Sequence, residues 1–175
     1  MFLNVDLHCH SKSAMGTRKG TSLSLDKVEE TMPLKGIQLV GTGDCHSRSW
    51  VTELKDRLIM DNDARETFKL KENGKIHFIL QNEMIFTLKM EDRSKQAHTC
   101  FLYPSFEVVE EMTQILESWD CKSLDQVPRP FIPCNSPDEV TEKIYSILDL
   151  DKNVEFFPAH VMTPTGIFGS DVRVS

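Results

Sequence analysis

Four apolar stretches of the chain each run into residues that can hold a metal ion or move a proton. Val5-Asp6-Leu7 leads into His8-Cys9-His10, and Ile37-Gln38-Leu39-Val40 leads through Gly41-Thr42-Gly43 to Asp44-Cys45-His46. Ile76 to Leu80 leads into Gln81-Asn82-Glu83, and Val154 to Phe157 leads through Pro158-Ala159 to His160. Imidazoles and carboxylates supply the N and O donors that zinc, manganese or iron accept. His8 and His10 stand two apart, and an extended chain sends positions i and i+2 to one side, so both rings can reach one ion. Asp44 or Glu83 can bridge two ions. Two ions about 3.5–4 Å apart activate a water and neutralise the charge that builds on a phosphoryl group.

For residues so far apart in sequence to meet, the strands before them must share a direction. In a parallel α/β sheet or barrel the C-terminal strand ends lie on one face, where sites are built. Short β-type runs alternate here with helical patterns, which predicts α/β architecture, a largely parallel sheet of five to seven strands, and four helices. Strands are expected at Phe2–Leu7, Ile37–Val40, Ile76–Leu80, Ala97–Leu102 and Val154–Phe157, with more β-type sequence from Met84 to Met90 and a polar turn at Glu91–Gln96. A short helix opens at Asp26, with a carboxylate three residues on, and stops near Pro33 and Gly36. Trp50 to Met60 reads as an amphipathic helix. Ser105 caps a helix whose apolar positions Val108, Val109, Met112, Ile115 and Leu116 fall at i, i+1, i+4, i+7 and i+8. Ser136, with Pro137 at N1 and Glu139 at N3, caps another that buries Val140, Ile144, Ile147 and Leu148. A tail broken by Pro and Gly runs from Pro158 to Ser175.

Several of these residues also have plainer readings. His77 is an ordinary half-buried strand residue, and His46 either binds metal or orients Asp44 from behind. His98 opens its run rather than following it, so the spacing argument does not reach it. A structural zinc site at Cys9 and Cys45 lacks the paired knuckle spacing such sites use. The loop Lys12 to Gly20 carries Lys12, Arg18 and Lys19 and no acid, which can grip phosphate or merely be solvated. Trp50 either stacks on a base or starts the core face of its helix.

The 175 residues carry 27 acidic and 20 basic side chains, a net charge of −7, which argues against a chain held on nucleic acid by a broad basic surface. No apolar run approaches the roughly 18–20 residues of a membrane span, and the first residues do not read as a signal peptide. Five cysteines without a CxxC pair fit a reducing, cytoplasmic setting. These bounds predict a soluble, acidic single domain.

Asp6-Leu7-His8-Cys9-His10-Ser11 resembles the opening motif of the PHP (polymerase and histidinol phosphatase) domain, a metal-dependent phosphoesterase fold. His10-Ser11-Lys12-Ser13, Leu34-Lys35-Gly36-Ile37 before Gly41-Thr42-Gly43-Asp44, Trp50 with Glu53-Leu54, Asn82-Glu83, Pro158-Ala159-His160-Val161-Met162-Thr163-Pro164 and Phe168-Gly169-Ser170 resemble the endonuclease Q branch. The resemblance implies a distorted seven-stranded β/α barrel with two or three divalent transition metals at the strand ends. Its metal residues would be His8, His10, Asp44, His46, Glu83, His98 and His160, with Asp44 and Glu83 also acting in catalysis; Lys12 and Arg18 join the catalytic candidates from the basic loop, where they would steady a phosphate oxygen. PHP domains close the site with a later Asp-x-His pair, and none follows His160 here. The expectation is therefore an incomplete barrel spanning residues 1–175, corresponding to the N-terminal two-thirds or so of the family fold, which invites a homodimer or a complementing chain.

Three functions compete on this reading. The first is hydrolysis of a phosphodiester in DNA beside a deaminated or missing base, with Lys12 or Arg18 steadying the phosphate. The second is a small-molecule phosphatase of the histidinol phosphatase type, which the acidic balance favours. The third is a metal-binding remnant or subunit without activity of its own.

Overall fold

A computed structural model describes residues 3–12, 24–62, 64–72, 74–89, 91, 94–121, 124, 129–164 and 166–169. Among these, β1 (Val5–Asp6), β2 (Leu39–Gly41) and β5 (His77–Lys89) run parallel, with Val5 opposite Leu39 and Leu39 opposite His77. β5 is the spine. Its first residues also pair antiparallel with β4 (Phe68–Leu70), which pairs in turn with β3 (Leu58–Met60). Its later residues pair antiparallel with β6 (Ser94–Tyr103) over ten registered positions, and parallel with β7 (Phe131–Cys134). β8 (Glu155–Pro158) closes against β6. The described strands form one eight-stranded mixed sheet, curled into half a barrel.

The helices begin where the sequence places a cap. Ser24 caps α1 (Leu25–Thr31), so the cap lies two residues before the expected Asp26. Ser47 caps α2 (Arg48–Arg57), Ser105 caps α3 (Phe106–Ser118) and Ser136 caps α4 (Pro137–Leu148), each hydroxyl accepting from a backbone N–H three residues on. Trp50, Leu54, Val109, Met112 and Leu116 from α2 and α3 pack with Phe78, Leu80, Met84, Phe86, Phe101 and Tyr103 of the sheet to make the core.

Four expectations change. The described strands number eight rather than five to seven, since β3 and β4 are too short to read from the sequence. The sheet is mixed rather than largely parallel, because β6 returns directly along β5. The expected strands at Ile76–Leu80 and Met84–Met90 are one element: Leu80 to Phe86 are all buried, so the polar Gln81-Asn82-Glu83 interrupts the hydrophobic pattern without breaking the strand. The helix expected to reach Met60 ends at Arg57, and Leu58–Met60 turns into β3.

Candidate metal centre

The centre is built around Glu83, whose side chain has no exposed surface. Side chains alternate along β5, so Gln81 and Glu83 face one side while Leu80, Asn82 and Met84 face the other. On that other side Asn82 meets Met112 and Tyr103. Gln81 turns toward the segment after β1, where its Oε1 accepts from Cys9 N–H at 3.2 Å, and this contact holds His8 and His10 over the strand.

The loop after β2 supports them from behind. Thr42 N–H donates to Ile79 O and Cys45 N–H to Gln81 O, which extends the pairing of β2 with β5. Gly43, at φ +66°, lies so close to the His10 backbone that a Cβ there would stand 2.8 Å from Cys9 O and His10 Cα. The buried Trp50 indole donates to Thr42 O at 3.2 Å and Gly43 O at 2.9 Å, so Trp50 serves the core and this loop rather than a base. Asp44, at φ +44°, accepts from Ser11 N–H and Ser11 Oγ, both at 2.7 Å, and lies 3.2 Å from His10 Nδ1.

His98 enters by the hairpin. Glu83 pairs with Cys100 and Ile85 with His98, so His98 is a diagonal neighbour of Glu83 on the same face. The antiparallel return of β6 explains why a rule built on strand ends passed it over. Pro158 pairs with Thr99 and Ala159 N–H donates to His98 O at 2.9 Å, which delivers His160 beside His98.

The two carboxylate oxygens divide the imidazoles between them. Glu83 Oε2 faces His10 Nε2 at 3.2 Å and His8 Nε2 at 3.5 Å. Oε1 faces His98 Nδ1 at 2.6 Å and His160 Nε2 at 3.5 Å. His8, His10 and Glu83 thus form one cluster, and Glu83, His98 and His160 a second, with the ligand atoms of each within 4.8 Å of one another. The His8 and His160 rings stack at 6.0 Å and join the two. Two imidazoles on each side of a shared carboxylate, three donors to a cluster with its oxygen counted, make a donor set that fits divalent transition metals.

One further residue completes the ring, and the sequence reading missed it. Arg129 Nε donates to Glu83 Oε2, and Arg129 Nη2 lies 3.0 Å from His10 Nε2. It precedes β7 rather than following a strand. The signal for it is register: β7 runs parallel to β5 with Phe131 opposite Ile85, which sets Arg129 level with Glu83.

Burial alone would raise the Glu83 carboxyl, but hydrogen bonds from His10, His8, His98 and Arg129 outweigh it and hold the group far below its usual range. Asp44 first, and Glu83 second, push the His10 imidazolium up to about 9 against the opposing effects of burial and Arg129.

The other expected residues lie outside this ring. His46 is buried by the Asp44 loop and belongs to neither cluster. Lys12 is tied to Glu53 at 2.5 Å, over the Trp50 ring. Arg18, with the 13–20 stretch of its loop, lies outside the described residues. His77 pairs with Asp61 at 2.9 Å. Neither cluster among the described residues includes a cysteine, and none of the described helices is long and apolar enough to cross a membrane.

No family model matches the chain. An uncharacterised protein of Methanocaldococcus jannaschii is 27% identical over 166 residues, which are 94% of this chain and 17% of that protein. Among solved structures, a lesion-specific endonuclease from Pyrococcus furiosus superimposes with a TM-score of 0.71 at 24% identity, over 96% of this chain and 37% of that one. Endonuclease Q in complex with a 27-mer duplex carrying an abasic lesion superimposes with a TM-score of 0.70, again at 24% identity, over 95% of this chain and 37% of that one. The chain therefore spans well under half the length of each protein it resembles, and over nearly all of its own length it has the fold of endonuclease Q.

Proposed function

We propose that the chain is a metal-dependent phosphoesterase of the PHP type, acting on phosphodiester bonds in DNA beside a deaminated or missing base. One observation carries the metal reading: a fully buried carboxylate presents each of its oxygens to a separate pair of imidazoles. A structural carboxylate needs one partner, and this one has five. His8, His10 and Glu83 would hold one ion, and Glu83, His98 and His160 a second, with Glu83 as the bridge. Bound ions would supply a Lewis acid and an activated water for attack on phosphorus.

The chain's own residues do the positioning. Asp44 takes the Nδ1 side of His10, which turns Nε2 toward Glu83; it is proposed as a positioning residue, pinned in place by Ser11. Lys12 can steady a phosphate oxygen only by leaving Glu53. The DNA substrate is supported by the fold shared with endonuclease Q and by the duplex bound in one of those structures. The net charge of −7 favours the second reading, a small phosphate monoester.

The test has two arms. Purified wild-type protein should carry transition metal that the His8→Ala/His10→Ala double variant has lost; equal content in both ends the metal reading. Nicking of duplexes containing hypoxanthine, uracil or an abasic site, and not of an undamaged duplex, supports the DNA substrate. Turnover of a generic phosphate monoester without nicking moves the assignment to the second reading.

A further inference from the structure

Arg129 meets the centre on one side only. It contacts Glu83 Oε2 and lies 3.0 Å from His10 Nε2, two of the three atoms of the His8–His10–Glu83 cluster. The contacts of Oε1 are with His98 and His160. A guanidinium and a divalent ion compete for Oε2, because two cations held at contact distance in a partly dehydrated pocket repel. A fully buried carboxylate also calls for a permanent counter-charge beside it, in addition to its hydrogen bonds. Arginine is the side chain suited to keep it paired, since its charge does not titrate away.

From this the geometry points to Arg129 as a built-in cation that occupies the His8–His10–Glu83 half of the centre, so that an ion enters that half only as the guanidinium leaves. The Glu83–His98–His160 half loads without displacing it. The inference rests on the metal reading proposed above and adds an order to it. Ile85 N–H donates to Pro130 O at 2.9 Å, which anchors the backbone next to Arg129, so the exchange is a side-chain movement. With 29% of its side chain exposed, Arg129 has a way out. Once released it carries five N–H donors in a planar fork at the mouth of the centre, the chemistry that grips a phosphate oxyanion with two hydrogen bonds.

Calorimetric titration of chelator-stripped protein with zinc chloride alone tests this. Wild type should show two unequal binding steps. Arg129→Gln should tighten the weaker step by about tenfold, a change of about 1.4 kcal/mol, and leave the tighter one unchanged. Arg129→Lys, which keeps the charge, should stay closer to wild type, and His98→Ala should remove the tighter step. Millimolar guanidinium chloride should weaken the improved step of Arg129→Gln again and leave wild type unaffected. Unchanged or weaker binding by Arg129→Gln overturns the role of Arg129. No binding by any of these proteins overturns the metal reading itself. A measurement on wild type needs no variant: the Arg129 Nε–H resonance should be downfield and protected in stripped protein, survive the first equivalent of zinc, and be lost with the second. Its persistence at full loading also overturns the inference.

Discussion

Replacing Glu83 by Gln changes one charge and almost no volume, which makes it the cleanest perturbation of the centre. In metal-free protein the amide would turn an NH2 group toward side chains that are mostly donors, and Arg129 would lose its counter-charge. Removing one partner of a buried ion pair costs about 3–5 kcal/mol. The side chains around Glu83 range from 10% exposed at His98 to 33% at His160. Water therefore relieves part of the loss, and a cost of about 2–3 kcal/mol is expected. In a chain of this size about 1 kcal/mol moves Tm by about 2–4 °C, so stripped Glu83→Gln should melt roughly 5–10 °C below stripped wild type. Scanning calorimetry with and without a divalent ion reads both halves of the argument. An ion at about one hundred times its Kd should stabilise wild type by about 2.7 kcal/mol and leave the variant where it was. If the stripped variant melts with wild type, and zinc raises both equally, Glu83 is not the hub described above.

Other substitutions probe the supports. Gly43→Ala should cost about 1–2 kcal/mol for the left-handed backbone alone, and its Cβ, 2.8 Å from Cys9 O, should push the His8–His10 segment aside; wild-type zinc affinity in this variant would show that the loop does not hold the ligands. Ser136→Ala removes the acceptor of Glu139 N–H at 3.1 Å and should cost about 1 kcal/mol by urea unfolding, with ion binding unchanged; a loss of zinc affinity would show that α4 and the centre are coupled. The Glu139 carboxyl is pushed down to about 2, first by Lys143 and then by the Asn135 N–H. Its folded value lies below its unfolded one, so its stabilising effect is present above about pH 4.5 and is lost as pH falls through about 2. NMR titration at low salt should place its midpoint near pH 2, moving upward in high salt because the Glu139–Lys143 pair is still reached by solvent; an ordinary midpoint at low salt refutes the pairing.

The elements that were legible are those whose cause is local. The caps at Ser105 and Ser136 follow from a hydroxyl three residues ahead of an orphan N–H, and both stand where the sequence puts them. β4 and β7 were not legible: Phe68–Leu70 is too short to show a period, and Pro133 lies inside Phe131–Cys134. β5 was read as two pieces because Gln81, Asn82 and Glu83 are polar residues buried inside one strand, Gln81 and Glu83 toward the candidate centre and Asn82 against Met112 and Tyr103, and a candidate site is where the local pattern is expected to fail. Within the centre, His8, His10 and His160 follow from strand-end logic; Glu83 was reached by it only because one continuous strand was read as two, and His98 follows only from the resemblance. Arg129 follows from neither, since its place depends on the register of a strand that the sequence does not announce.

The hairpin of β5 and β6 also bears on how the chain acquires its shape. Glu83 and His98 are 15 residues apart and are joined through a ladder of ten consecutive pairs, whereas Arg129 is 46 residues from Glu83 and reaches it only across β7. Closing a short loop sacrifices less chain entropy than closing a long one, and a hairpin forms within microseconds. One wall of the pocket can thus be assembled early from neighbours in sequence, carrying its carboxylate and first imidazole already aligned. The opposite wall arrives by long-range docking, so a nascent chain meets its counter-cation only after its acid is in place.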